Sequence, residues 1–279
     1  MKEELIVFIK NALKEDVGQG DHTSLACIPS SAVGQAHLLV KENGILAGME
    51  LAELIFEQVD PNIKMTSLKK DGDCMQIGDI AFTIEGPSTS ILTAERLVLN
   101  CMQRMSGIAT KTCHIVQLLK GTETQVLDTR KTTPGIRILE KWAVKIGGGN
   151  NHRFGLFDMM MIKDNHIDFA GGIKAAIEKA NSYQKEKGLN IPIEIEARDL
   201  AEVQEILGVG NIHRIMLDNF SYEDTRTAVD WIGGKYQTEA SGGITEETIR
   251  EHALCGVDFV SVGALTHSVY SLDLSLKAI

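Results

Sequence analysis

Six short apolar runs, each closed by a polar or glycine-containing group, set what this chain can fold into. Run 125–127 is followed by Asp128-Thr-Arg-Lys131, run 159–162 by Lys163-Asp-Asn-His166, and run 191–195 by Glu196. Run 214–217 leads to Asp218-Asn219, run 236–239 to Ser241-Gly-Gly243, and run 258–262 to Gly263-Ala264. The last four endpoints, at 196, 218, 241 and 263, lie 22, 23 and 22 residues apart. Each interval holds one strand, one helix and two short loops, and 201–207 and 245–253 read as two of those helices. Alternating β and α elements imply parallel strands with helices packed outside. In α/β barrels the chemistry sits at the carboxyl ends of the strands, so a barrel brings all six endpoints to one rim. Six strands fall short of the usual eight, so an open or irregular barrel is expected.

The first part of the chain has a different texture. Leu5, Ile6, Ile9, Ala12 and Leu13 form a helical stripe, followed by a polar turn over 15–24. Segments 34–41, 44–47 and 80–85 read as strands, 49–58 as a helix, and Asp71-Gly and Gly78-Asp as turns. A further helical pattern covers 93–105. The 279 residues suit one large or two modest domains, and residues 1–105 read as a mixed α+β unit. No Pro/Gly/Ser linker separates the halves.

Composition narrows the function. A net charge of -10 repels phosphate backbones, which argues against a general nucleic-acid binder. The five cysteines, Cys27, Cys74, Cys101, Cys113 and Cys255, form no C-x-x-C pair, which fits reduced thiols better than a disulfide framework. The start, Met1-Lys-Glu-Glu, carries acids where a signal peptide needs bases, and no long apolar stretch follows. A soluble, cytoplasmic protein without a membrane partner is expected.

Against that acidic background, the segment 128–166 holds seven of the 28 basic residues and four acids. Arg137, Lys141 and Lys145 recur at helical spacing and read as a solvated face. Arg130, Lys131, Arg153 and Lys163 instead flank strand ends or the glycine-rich 147–153 turn. Arginine grips carboxylate or phosphate with a planar fork and lysine acts as a point charge. This set suits a small polyanion, with a structural ion-pair network as the alternative. Glu196 and Asp218 end neighbouring strands, where they suit Mg2+ binding, sugar hydroxyls or acid–base work, or simply satisfy backbone amides. Ser241-Gly-Gly243 and Val262-Gly-Ala264 close the last two strands, the place where such barrels bind phosphate. Thr245 reads as the cap of the helix after the first of these turns.

The same residues spell a family pattern. Leu127-Asp-Thr-Arg-Lys-Thr-Thr-Pro-Gly135, Gly147-Gly-Gly-Asn-Asn-His-Arg153, Ile162-Lys-Asp-Asn-His-Ile, Met216-Leu-Asp-Asn, Glu239-Ala-Ser-Gly-Gly-Ile-Thr and Ser261-Val-Gly-Ala-Leu-Thr-His closely resemble quinolinate phosphoribosyltransferase. In the first part, Lys14-Glu-Asp-Val-Gly-Gln-Gly-Asp-His-Thr-Ser24, Glu95-Arg and Gln103-Arg-Met-Ser-Gly match as well, so the resemblance covers nearly the whole chain. The one departure, Gly208-Val-Gly-Asn-Ile-His-Arg, is about a residue longer than the family's usual loop and lies away from the rim.

The resemblance implies an N-terminal α/β sandwich domain (1–105, completed by about 267–279) and an open, irregular six- to seven-stranded α/β barrel (106–266). It implies transfer of phosphoribosyl from phosphoribosyl pyrophosphate to quinolinate with decarboxylation, and a homodimer in which Arg104 is offered to the neighbour's site. Thr129, Arg130, Lys131, His152, Arg153 and Lys163 would then surround the quinolinate carboxylates and the donor. Glu196 and Asp218 would stand near the ribose and Mg2+, and Ser241, Gly242, Gly243, Val262, Gly263 and Ala264 near the 5′-phosphate. Lys131, Lys163, Glu196 and Asp218 are the expected catalytic set.

Overall fold

The computed structural model describes residues 2–279. In chain order its strands are β1 (Val33–Val40), β2 (Gly44–Ile45), β3 (Lys64–Ser67), β4 (Cys74–Met75), β5 (Ile80–Pro87), β6 (Gln125–Leu127), β7 (Met160–Ile162), β8 (Ile193–Ala197), β9 (Arg214–Asp218), β10 (Gln237–Ser241), β11 (Phe259–Ser261) and β12 (Leu274–Ala278). They fall into two compact units. One comprises the residues up to Cys113 together with Thr132–Gly148 and Ala264–Ile279; the other comprises His114–Lys131 and Gly149–Gly263.

The first unit is built on a four-stranded antiparallel sheet in the order β12-β1-β5-β3. Strand β12 comes from the end of the chain and pairs along β1 from Ala36↔Ala278 to Val40↔Leu274. Alternate residues of β1, Ala36, Leu38 and Val40, are buried, which is the half-covered pattern of an antiparallel sheet. The helix Ser88–Leu118 is much longer than the 93–105 pattern indicates. Its second half carries Ser106, Gly107, Thr110 and Thr112, which are weak helix formers, yet it is held by tertiary bonds. Ser106 Oγ accepts the Ala47 amide and Thr110 Oγ1 accepts the Ile45 amide. A Cβ on Gly107 would lie 2.1 Å from the Tyr270 carbonyl, so glycine is what lets the chain's end approach this helix. A short helix, His22–Cys27, occupies part of the 15–24 turn and is capped by Asp21, whose carboxylate accepts the Ser24 amide.

Segment Thr132–Gly148 sits within the range expected for the barrel but groups with the first unit. Its helix Arg137–Ile146 buries Leu139, Ala143 and Val144 and also Lys141, which is 2% exposed and so does not belong to the solvated face expected for it. Its fully buried Glu140 accepts Arg104 from the long helix.

The second unit carries six parallel strands in the order β6-β11-β10-β9-β8-β7. β6 and β7 are the two open edges. A single bridge, Leu127↔Asn150, extends the β6 edge, with Asp128 N–H donating to the Asn150 carbonyl and Asn150 N–H to that of Val126. This is an open α/β barrel with a one-residue remnant of a seventh strand. Alternation along each strand sorts its residues between two faces. Ile193, Ile195 and Ala197 of β8, Ile215 and Leu217 of β9, and Ala240 of β10 share one face and are all buried. The register places Glu194 opposite Arg214, Glu196 opposite Met216, and Glu239 opposite Met216 from the other side. The opposite face is therefore charged and still largely buried.

The apolar face should dominate stability. Ile195 is 0% exposed, and Ile195→Ala is expected to cost about 2–5 kcal/mol, read by chemical denaturation.

Candidate active site

The rim of the second unit is assembled from strand ends. Register puts Asp218 directly beside Ser241, and Glu196 stands at the end of the neighbouring β8. Lys163, one residue past β7, forms an ion pair with Glu196 through Nζ and Oε1. The Glu196 side chain is 9% exposed and that of Lys163 45%, so the lysine keeps water access while the carboxylate is held. Asp218 is half-buried and accepts the Asn219 side-chain amide at 2.9 Å. Asn219 takes a positive φ of 57° and donates its backbone N–H to the Ser241 carbonyl at 2.8 Å. That bond ties the two loops together. A Cβ on Gly242 would stand 2.2 Å from Asn219 Oδ1, and its φ is +95°; only glycine makes this turn beside Asn219. The amides of Gly242 and Gly243 have no acceptor among the described residues.

On the other side of the rim, Asp128-Thr-Arg-Lys131 leaves β6. Thr129 Oγ1 accepts the Lys131 amide at 3.0 Å, while Arg130 and Lys131 are exposed. Arg153 is buried and donates from Nη1 to the Met159 carbonyl at 3.2 Å. Burial first, and then the charge of Arg130, hold the Arg153 guanidinium below its ordinary pKa. A guanidinium remains charged under such a shift. Glu194, Asp158 and Glu196 act the opposite way, so the guanidinium sits in a mixed field of nearby charges.

Beneath the rim lies a group that the sequence reading did not identify. His152 Nε2 is 2.9 Å from Glu194 Oε2 and 3.5 Å from Glu239 Oε2, with the imidazole 5% exposed and both carboxylates 0%. Arg214 Nη1 donates to Glu239 Oε2 at 2.8 Å, and its guanidinium stacks over the Phe259 ring at 4.2 Å. The signal was present as period two: Glu194 precedes Glu196 by two, Arg214 precedes Asp218 by four, and Glu239 precedes Ser241 by two. Residues at those spacings share a face.

Charge sharing governs this group. Burial disfavours a charged imidazole, but Glu194 and Glu239 outweigh it and raise the His152 pKa to about 9. Burial and the charge of Glu239 push Glu194 up to about 7. Burial also acts on Glu239, but His152 and Arg214 hold it below its ordinary value. The backbone N–H of Arg153 donates to His152 Nδ1 at 2.7 Å, which opposes a proton on that nitrogen and leaves Nε2 facing the carboxylates. The extra proton thus belongs to the His152–Glu194 pair as a unit. His152, Glu194 and Glu239 also have the donor types of a metal site. The Arg214 guanidinium already among them supplies the positive charge, so they do not fit one.

Three expected residues fall elsewhere. Arg104 is committed within its own chain: Nε and Nη2 donate to the buried Glu140, and Nη1 and Nη2 to the carbonyls of Val269 and Thr266. Within one chain, then, its guanidinium compensates the buried carboxylate of Glu140. Val262 is buried and its amide donates to the Leu127 carbonyl at 2.9 Å, so that amide serves the sheet. Ala264 opens the four-residue helix Ala264–His267 of the first unit. The helix after Ser241-Gly-Gly243 starts only at Ile249, with Thr248 rather than Thr245 at its cap position. The turn itself, not a helix end, therefore lies at the rim there.

Comparison with known proteins fits this arrangement. Residues 21–106 match the N-terminal domain of quinolinate phosphoribosyl transferase and residues 108–277 its C-terminal domain. The chain is 47% identical over 289 residues to a chloroplastic nicotinate-nucleotide pyrophosphorylase [carboxylating] of Arabidopsis thaliana, covering 98% of this chain and 82% of that protein. It is 42% identical to a probable nicotinate-nucleotide pyrophosphorylase [carboxylating] of Bacillus subtilis, covering 94% and 89%. A solved nicotinate-nucleotide pyrophosphorylase of Francisella tularensis superposes with a TM-score of 0.92 at 39% identity, covering 100% of this chain and 97% of that one.

Two outcomes follow from the buried group. Arg214→Met leaves two buried carboxylates with one partner and should cost about 3–5 kcal/mol by denaturation at neutral pH. The pair's proton is bound more tightly in the folded chain than in the unfolded one, since both His152 and Glu194 are raised. Its stabilisation is fully present below the ordinary Glu194 value of 4.5 and is lost as pH rises, first through Glu194 up to about 7 and then through His152 from 6.5 up to about 9. Thermal melts of the wild type should show that decline, and His152→Gln should remove its upper part, toward pH 9.

Proposed function

The chain belongs to the quinolinate phosphoribosyl transferase family, and from that premise we infer how its rim residues divide the work. The protein transfers phosphoribosyl to quinolinate with decarboxylation, a reaction of NAD biosynthesis. The observation that carries our assignment of the acceptor pocket is Arg153, buried next to the charge of Arg130. Quinolinate brings two carboxylates, and two arginines of one rim suit a dianion through their planar forks. Arg130 and Arg153 hold these carboxylates so that the ring nitrogen faces the sugar. His152 supports them from below through the Arg153 amide, since its own nitrogens face inward.

The donor is phosphoribosyl pyrophosphate. Its 5′-phosphate is assigned to Ser241, the free amides of Gly242 and Gly243, and Gly263. Lys131, with Thr129 shaping its loop, and Lys163 neutralise the departing pyrophosphate. As the bond from the anomeric carbon to pyrophosphate lengthens, the sugar gains positive charge, and Glu196 and Asp218 stabilise it from fixed positions. The quinolinate nitrogen forms the new bond to that carbon. The resulting pyridinium takes up the electron pair of the 2-carboxylate as CO2 leaves, and a proton replaces the lost group, giving nicotinate mononucleotide.

Mg2+ fits Glu196 and Asp218 as a partly protein-held ion. Both offer only oxygen, and among the described residues no third acid or histidine clusters with them; phosphate oxygens and water complete such sites. When bound, the ion supplies charge neutralisation at the pyrophosphate. We assign the protein to a homodimer. The long helix carries Arg104, which the family motif assigns to the neighbour's site, and the exposed Arg96. The five free cysteines support a reducing compartment such as the cytoplasm.

Removing one member of a buried, charge-assisted contact costs about 2–5 kcal/mol, so Arg153→Ala should raise the KM for quinolinate at least tenfold while the circular-dichroism melt stays cooperative. Wild-type kinetics in that variant would remove the acceptor assignment.

A further inference from the structure

We propose that Arg214 and Glu239 are positioning residues of the acceptor pocket, acting through His152 on Arg153. The inference rests on the assignment of Arg153 to quinolinate. Arg214 opens β9 and Asp218 closes it, so Arg214 lies four residues, about 13 Å, below the rim. At that depth it does not reach a substrate held at the strand ends.

The contacts nevertheless form one continuous chain. Phe259 under the guanidinium and Gln237 Oε1, 3.3 Å from Nη2, fix the aim of Arg214. Arg214 Nη1 then donates to Glu239 Oε2 at 2.8 Å. That same oxygen lies 3.5 Å from His152 Nε2, with Glu194 Oε2 at 2.9 Å from the same nitrogen. The far side of the ring, Nδ1, accepts the Arg153 amide at 2.7 Å. Both ring nitrogens are engaged, so the ring does not turn without releasing either the carboxylates or the amide.

The ring is a rigid strut that transmits the position of Glu239 to the backbone of Arg153. Among the described residues the Arg153 guanidinium donates one hydrogen bond, to the Met159 carbonyl at 3.2 Å, so its reach toward a ligand depends on where its own backbone is held. Small displacements of a binding group are costly when the geometry is otherwise fixed. A group that merely stabilised the barrel would affect both substrates alike. A strut ending at Arg153 affects the acceptor.

The test is steady-state kinetics of the full-length Glu239→Gln protein, with quinolinate and phosphoribosyl pyrophosphate varied separately and Arg153→Ala run in parallel. The quinolinate KM should rise about tenfold, with the donor KM within about twofold and kcat within about threefold. Arg214→Gln, judged by the same criteria, serves if Glu239→Gln does not fold. An unchanged quinolinate KM beside a raised one in Arg153→Ala overturns the positioning role and leaves the acceptor assignment standing. Unchanged values in both variants overturn both. Equal rises in the two KM values indicate general loosening and overturn the positioning role.

Discussion

Glu194, Glu239, Arg214 and His152 lie out of water inside the second unit, and the rest of that unit is arranged around keeping them balanced. Taking such groups out of water costs several kcal/mol each, which mutual attraction offsets only with good geometry. Here Arg214 reaches Glu239 at 2.8 Å and His152 lies 2.9 Å from Glu194, while Glu194 Oε1, Glu239 Oε1 and Arg214 Nε have no hydrogen-bond partner among the described residues, so the offset is incomplete. An all-apolar interior of the same volume would be at least as stable, so stability alone does not explain the charges. Their position does: they occupy the layer under the rim, on the same strand faces as Glu196, Asp218 and Ser241. The barrel's outward faces carry the hydrophobic stabilisation, through Ile193, Ile195, Ile215 and Leu217, and leave the inner face free for chemistry.

That division explains what was readable in advance. The rim was legible because each strand ends in a polar group and a parallel α/β sheet brings its carboxyl ends together. Glu196, Asp218 and Ser241 are therefore where their spacing puts them. The interior was not read because Glu194, Arg214 and Glu239 sit inside apolar runs, where they pass for ordinary strand residues. Only period-two counting back from the rim separates them from the outward isoleucines. Identity of the acceptor was not legible from chemistry at all: the basic residues indicate a polyanion, and the family pattern supplies quinolinate.

Where the structure adds to the sequence, one cause recurs. A sequence motif names a residue but not its neighbours. Arg104 lies in a family motif, and within its own chain its guanidinium also compensates the fully buried Glu140. His152 lies in the glycine-rich turn beside Arg153, and its Nε2 faces the buried carboxylates. The Val262 amide belongs to the sheet ladder. The apolar spacing over 93–105 ends before the helix Ser88–Leu118 does, because the bonds that hold its later half come from distant residues, Ile45 and Ala47.

In the function proposed for it, this rim seats a pyridine dicarboxylate so that its nitrogen meets the sugar and its 2-carboxylate departs. The direct measurement supplies the protein with phosphoribosyl pyrophosphate, Mg2+ and quinolinate carrying 13C in the 2-carboxylate alone, and follows products by mass spectrometry. Unlabelled nicotinate mononucleotide appearing together with labelled CO2 in equal amounts is the predicted result. Nicotinate mononucleotide that retains the label, or no mononucleotide from quinolinate, would contradict it.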